Sequence, residues 1–265
     1  MPWSMSADDR SPGEQALGEL IDAAHLRQVD SLPALLGVAG ARFGARDLQL
    51  LLVDQSQQSL IPYPPAGTWE EDVQSLDGTV PGRAFRQVQT QEVDTADGAR
   101  VWVPVLDGVD RLGVIGATFS APDPLARQRL LQLAGITAYL LVVKAAVGDS
   151  LVRVSRREPM SLAGELQWSI LPPLSVGTER VAISAMLEPC YDVGGDSIDH
   201  AIDGATAHFA IFDAQGHGLR AGVMASLAVS AYRNTRRAGG SLPQIAAAID
   251  AAVADQFDEG AFVTA

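Results

Sequence analysis

Apolar and polar positions along the chain recur with two periods, and the switches between them mark out its elements. From Glu14 the apolar residues Leu17, Leu20, Ile21 and Ala24 fall at helical spacing. A second helical run spans about Leu32 to Phe43, with Gly44 as its stop. "DLQLLLVD", beginning at Asp47, is a short apolar run bounded by acids and predicts a strand. "IPYPPAGTWEED", from Ile61, is crowded with prolines and predicts a loop. "VPGRAF", from Val80, predicts the start of a short helix. The clearest hairpin is "RVWVPVLDGVDRLGVIGATFS", where two β-rich runs flank an Asp107-Gly108 turn that tolerates positive φ.

From Leu125 to about Arg157 the pattern predicts one long helix. Leu130, Leu133, Ile136 (or Ala134), Leu140 and Val143 line one stripe of it, and Pro159 interrupts the run. "SLAGELQWSILPPL" then predicts a short helix ended by Pro172-Pro173. In the last third, "ERVAISAMLEP" predicts a strand, followed by a strand from about Ser197, a turn at Asp203-Gly204 and the apolar strand "AHFAIF" running into Asp213. A helix over about Leu219–Arg237 is expected to turn Val223, Met224, Leu227, Ala231 and Tyr232 inward, with Gly239-Gly240 as its end. Leu242–Phe257 predicts a second, alanine-rich helix, and "AFVTA" the beginning of a further strand. The expected organisation is a disordered tail over 1–13, an α/β domain over 14–146, a helical linker over 147–175 and a second domain from 176 to 265. The fold class is α/β of the α+β type.

Composition changes this picture only by exclusion. The chain of 265 residues is 47% hydrophobic and 19% charged, a globular balance. Its formal net charge of −13 argues against a nucleic-acid surface, which needs clustered Lys and Arg, and against docking on anionic membranes. The single cysteine, Cys190, excludes an internal disulfide and fits a reducing compartment; its reading is that of a small buried residue. The N-terminal residues lack a basic region followed by an apolar core, so no signal peptide is expected. The most apolar segment, Leu133 to Val147, contains Lys144 and falls short of the about 20 residues that span a bilayer. A cytoplasmic protein is expected.

The candidate chemistry lies in "YDVGGDSIDH" and "IFDAQGHGLRAG". Asp196 and Asp213 each sit at the end of a β-rich run, beside glycines that let the backbone turn. If those strands pair, the two acids meet at one edge of a sheet. Two carboxylates that close repel unless a cation neutralises them. All-oxygen donor sets suit Mg²⁺ or Mn²⁺, which can ready a water for attack on a phosphoester. The alternative is that Asp196, Asp199 and Asp203 serve only as turn residues. Spacing alone leaves both readings open.

Three blocks in order, "LQWSILPP", "YDVGGDSID" and "FDAQGHGLRAGVMAS", resemble the SpoIIE/RsbU-type branch of the PPM (PP2C-like) serine/threonine phosphatases. The resemblance implies the first half of a PPM-type β-sandwich with flanking helices. It implies that Asp196 and Asp213 are metal-binding and catalytic acids, and that the carbonyl of Ala214 is a further ligand. Gly194 and Gly195 would place Asp196. Gly216, His217 and Gly218 match the turn after Asp213, and Asp199 matches the last acid of its block. Mn²⁺ or Mg²⁺ is the implied cofactor, two ions in a complete domain. The implied substrate is a phosphorylated STAS-type anti-anti-sigma protein, with regulation acting at the helix over Ser161–Leu171. Two departures stand out. Ser197 and Ile198 occupy positions that are aromatic in the family, and the family's domain continues well past a strand like "FVTA", with later acidic ligands. A catalytically incomplete sensory protein is therefore the competing expectation.

The first region resembles GAF domains through "DGTVPGRAF" and "VWVPVLDGVDRLGVIGATF". That implies a sensory module with an antiparallel sheet whose ligand, if any, is unknown. Ligand sensing and a purely dimerising scaffold both remain open. The apolar stripe of the long helix suggests a homodimer through that helix, or packing on its own domain.

Overall fold

The computed structural model of the protein describes residues 12–64, 73–188, 190–192 and 194–265. The chain forms two compact units, Met1–Arg157 and Glu158–Ala265. Residues 1–11 of the expected tail, and residues 65–72 of the expected loop, lie outside the described residues.

The first unit opens with α1 (Pro12–Ala24), a single 3-10 turn (Val29–Ser31) and α2 (Leu32–Ala41). Strands β1 (Arg46–Val53), β2 (Ser59–Tyr63) and β3 (Gln74–Ser75) follow, then α3 (Val80–Gln87), capped by the Thr79 hydroxyl accepting from the Gly82 amide. Next come β4 (Gln91–Thr95), β5 (Gly98–Asp107), β6 (Asp110–Phe119), α4 (Pro124–Ala145) and α5 (Ser150–Ser155). The six strands form one antiparallel sheet in the order β3-β2-β1-β6-β5-β4.

Both faces of this sheet are covered, which explains why β5 and β6 are apolar at nearly every position. Val101, Val103, Val105, Ile115, Ala117 and Phe119 pack with Leu20, Leu36, Leu130 and Leu133 of the helices. The alternate residues Leu51, Leu60, Trp102 and Val114 pack with Ala84 and Phe85 of α3. Period two thus sorts one pair of strands into two cores. At Gly116 the Trp102 ring lies where a side chain would stand: an added Cβ would come within 2.5 Å of it.

Three expectations need correction here. Ser59–Tyr63 is strand, not loop: Pro62 lies opposite Leu51, while β3 covers only Ser59 and Leu60 on the other side. Proline is tolerated where a strand has a free edge. The helix expected to run to about Arg157 ends at Ala145 and restarts at Ser150, with Gly148 in the break. No proline marks that break, so periodicity runs straight through it. The buried stripe of α4 is Leu130, Leu133, Ala134, Ala138 and Leu141, so it packs on its own unit, whereas Val143 is 66% exposed. Strand β4, "QEVDT", carries no alternating apolar signal because it is an edge strand with one neighbour.

Helix α5 is tied back onto the first unit. Val154 is in its core, the Gln55 amide donates to the Ser155 carbonyl (2.8 Å), and an Arg157 Nη1 donates to the Ser59 hydroxyl (3.1 Å). Asp30 accepts from the Tyr63 hydroxyl (2.6 Å) and from the Ser150 hydroxyl (3.2 Å). Burial, then the hydrogen bond to Asp30, pushes the Tyr63 phenol well up; that same bond holds Asp30 below the usual carboxylate range.

The second unit holds α6 (Leu162–Ile170), the small hairpin β7 (Ser175–Gly177) and β8 (Ala182–Ser184), then β9 (Asp196–Asp203) and β10 (Thr206–Ala214). Helices α7 (Gly218–Arg237) and α8 (Leu242–Gln256) follow, and β11 (Val263–Thr264) pairs with β10. The sheet order is β11-β10-β9, antiparallel throughout. One face, with Phe212 and Ala214, packs on Met224, Ala225, Ala228, Val229 and Tyr232 of α7 and on Ile245, Ile249 and Val253 of α8. The inward side of α7 therefore runs through its alanines, and Val223, expected inward, is 43% exposed. The other face leaves Phe209 (73%) and Ile211 (70%) in the open. Among the described residues no helix is long and apolar enough to cross a membrane.

Two outcomes follow from the first unit. Gly116→Ala forces its methyl into the buried Trp102 ring and is expected to lower stability by about 1–3 kcal/mol, read by urea unfolding. Tyr63 has a raised folded pKa, so its contribution is complete below the unfolded phenol value near 10 and is lost as pH rises beyond it. Tyr63→Phe should therefore flatten the alkaline fall in the unfolding midpoint; an equal fall in both proteins would refute the assignment.

Candidate functional site

The hairpin of β9 and β10 sets the geometry. Its turn is Gly204-Ala205, with Gly204 at φ +60°, and Asp203 pairs with Thr206. From there the register runs without a shift to its far end, where Asp196 lies directly opposite Asp213. Residues opposite each other on an antiparallel pair share a face, with Cβ atoms about 4.5–5.5 Å apart. That face also carries the pairs Ile198–Ile211 and His200–Phe209, and it is the face turned away from α7 and α8. Both aspartates are exposed. Among the described residues neither makes an ion pair. Like charges so placed repel, and the strands supply no cation to offset them. The two acids stand at one end of a cleft of about 860 Å³, whose apolar walls include Ile183, Met186, Ile198, Phe209 and Ile211.

Glycine at 195 is required by close approach. A Cβ there would lie 2.1 Å from the Ala214 carbonyl oxygen, and the Ala214 amide donates to the Gly195 carbonyl at 3.1 Å. The missing side chain lets the two backbones touch beside Asp196 and Asp213, with the Ala214 oxygen lying against Gly195. Gly194 differs: its φ is not positive and nothing stands within 4 Å of an added Cβ. After Ala214 the chain turns through Gly216 (φ +96°) and Gly218 (φ +71°), backbone conformations that favour glycine. His217 between them is the N-cap of α7; it is exposed, and its side chain makes no capping bond.

Asp199 is not brought to the pair. It lies on the helix-facing side of β9, 2% exposed, and its Oδ1 accepts from Arg233 Nη2 at 2.6 Å and Nε at 2.9 Å. His200 is bound through Nε2 to the Pro173 carbonyl at 2.6 Å, and His208 sits in β10 opposite Ala201. No group of three or more His, Cys, Asp or Glu side chains placed to hold a metal occurs among the described residues. The exposed donors are two carboxylates, oxygen ligands of the kind a hard divalent cation takes, while Ala214, whose carbonyl lies against Gly195, is 1% exposed.

Sequence reading passed over Gln167. It is fully buried in α6, and its Nε2 donates to the Asp196 carbonyl at 2.8 Å. Trp168 Nε1 donates to the Cys190 carbonyl at 2.7 Å. The signal was available: Ala163, Gly164 and Gln167 form the buried side of α6, and a glutamine on an otherwise small, apolar face needs a partner.

Residues 203–265 match the family model described as Stage II sporulation protein E (SpoIIE). The match includes Asp213, Ala214 and the Gly216–Gly218 turn; Asp196 precedes it. No curated protein matches the chain. Among solved structures, the chain is similar to the GAF domain of an Acinetobacter phosphoenolpyruvate-protein phosphotransferase, with 14% identity and a TM-score of 0.45 over 53% of this chain and 99% of that one. It is also similar to the corresponding Coxiella burnetii GAF domain (10%, TM-score 0.45, 51% and 95%) and to the GAF-B domain of DevS from Mycobacterium smegmatis (15%, TM-score 0.35, 42% and 91%). The segment that matches the SpoIIE model lies in the second unit, after the antiparallel-sheet unit, the order of the two regions expected from sequence.

The two glycines before Asp196 should respond differently. Gly195→Ala meets the Ala214 carbonyl and is expected to part the hairpin end, costing about 1–3 kcal/mol of stability. Gly194→Ala has room and should stay within about 0.5 kcal/mol of the parent. Equal losses in chemical denaturation would show that close approach is not what position 195 requires.

Proposed function

We propose that the second unit is a metal-dependent protein serine/threonine phosphatase module of the SpoIIE type, governed by the GAF-like unit before it. The observation that carries the reading is the Asp196–Asp213 pair: two exposed carboxylates held opposite each other by strand register, with no ion-paired cationic side chain among the described residues. The SpoIIE match over 203–265 supports the family-level part. The substrate reading, a phosphoserine or phosphothreonine on a STAS-type anti-anti-sigma protein, rests on the same family resemblance.

Asp196, Asp213 and the Ala214 carbonyl would hold Mn²⁺ or Mg²⁺. Such an ion, when bound, lowers the pKa of a coordinated water and polarises a phosphoryl oxygen. The chain's own part is positional. Register fixes the two carboxylates on one face, Gly195 lets the Ala214 backbone close in, and Gln167 holds the Asp196 carbonyl from behind. Outward-facing Leu131, Tyr139, Val142 and Val143 on α4 support pairing of two copies through that helix. A second reading, a catalytically incomplete sensory protein acting through the first unit, is favoured by one observation: two acidic side chains converge among the described residues, not three or more.

The deciding experiment is Mn²⁺-dependent phosphate release from a phosphorylated STAS protein. Asp213→Asn and Asp196→Asn are each expected to lower it by more than about 100-fold, beyond the usual loss on removing an outer-shell partner. Parent activity in Asp213→Asn would remove the site assignment. No turnover by the parent, with Mn²⁺ still bound, would favour the second reading.

A further inference from the structure

The third acid of the hairpin has a different task. Asp199 is three residues along β9 from Asp196 and, by strand alternation, on the opposite face. It is buried between two arginines of α7: Arg233 at 2.6 Å and Arg236 at 3.5 Å. The same Arg233 Nη2 that reaches Asp199 also donates to the carbonyl of Ile170, the last residue of α6, at 2.6 Å. One guanidinium therefore joins β9, α7 and the C-terminus of α6. The position suits it, since the free carbonyls at a helix C-terminus carry partial negative charge.

Helix α6 depends on such anchors. It has nine residues, below the about 12–15 at which an isolated helix becomes even marginal. Its start is held by the Ser161 amide on the Tyr191 carbonyl (3.0 Å), its middle by Trp168 and Gln167, and its exit by His200 on Pro173. Arg233 is the anchor that carries charge into a buried place. The connections close a circuit: Asp213 in β10 leads into α7, Arg233 of α7 grips the end of α6, and Gln167 of α6 grips the backbone of Asp196. Moving α6 moves one acid of the pair with respect to the other.

We propose that Asp199 and Arg233 form a clamp that sets the position of α6 and, through Gln167, the placement of Asp196 beside Asp213. The inference rests on reading that pair as an ion-binding site and assigns Asp199 a positioning role, not a metal-ligand role. Asp199 orients the guanidinium; Arg233 delivers it to Ile170. The planar fork matters, because a lysine ammonium can keep the charge pair but lacks the fixed geometry for both partners.

The test uses the full 265-residue chain, with hydrogen exchange followed by mass spectrometry and Mn²⁺ binding followed by electron paramagnetic resonance. Arg233→Lys keeps the buried charge balanced and is expected to remain folded. In it, amides of α6 should exchange at least about tenfold faster while those of α8 stay unchanged, and Mn²⁺ affinity should fall about 10- to 100-fold. Asp199→Asn should do the same where it folds. Asp213→Asn should lose Mn²⁺ binding with α6 exchange unaltered, which separates the pair from the clamp. Unchanged α6 exchange in both clamp variants would overturn the proposal, as would loosening of α8 and the sheet to the same extent as α6. If the parent binds no Mn²⁺, the ion-site reading falls, and α6 exchange alone judges the clamp.

Discussion

The second unit depends on the register of one hairpin. The eight pairs from Asp203–Thr206 to Asp196–Asp213 run without a bulge. A slip of one residue would send every side chain of one strand to the other face. Asp196 would then lose Asp213 as its neighbour, and Phe212 would leave the helix layer for the open side. The same register that packs Phe212 and Ala214 against α7 thus also places the acids. Packing on the covered face enforces charge proximity on the uncovered one. That is how a repulsive arrangement can be held: apolar burial, at roughly 25 cal/mol per Å², outweighs the repulsion of two solvated charges.

The two units solve the problem of a sheet's second face differently. In the first, α1, α2 and α4 cover one face and α3 the other, so strand residues of both parities are buried. In the second, α7 and α8 cover one face only, and the other exposes Phe209, Ile211 and the acidic pair. A catalytic reading makes sense of acids on the open face. The buried face is reserved for groups that must be neutralised within the fold, as Asp199 is by its arginines.

Much of this was legible in the sequence, and the limits have physical causes. The hairpin of β5 and β6, the strand ending in Asp213 and the helices α7 and α8 all follow from periodicity. The edge strand "QEVDT" did not, because an exposed edge gives no apolar alternation. Pro62 hid β2, because proline reads as a breaker wherever its free edge cannot be foreseen. The interruption near Gly148 escaped because a lone glycine is a weak signal inside a helical pattern. For the candidate site, the spacing of glycines and acids pointed to Asp196 and Asp213. It could not separate Asp199 from them, since that distinction rests on strand parity and on Arg233, a residue 34 positions away. Nor could it find Gln167, whose meaning lies in a backbone carbonyl that only tertiary structure brings within reach.

The doubly covered sheet has one more consequence, for how this chain can change its length. Over Ala99–Val105 of β5 and Gly113–Phe119 of β6, up to the register shift between Val105 and Leu106, buried apolar residues are assigned to one core or the other by parity. Losing or gaining a single residue within those stretches would exchange the two apolar sets, setting Trp102 against the helices that now meet Val101 and Val103. Tolerated insertions and deletions should therefore gather at the Gly108-Val109 turn and at the register shift beside Leu106, and any deeper in the strands should come in twos. In this sheet, evolutionary drift in length is quantised by geometry.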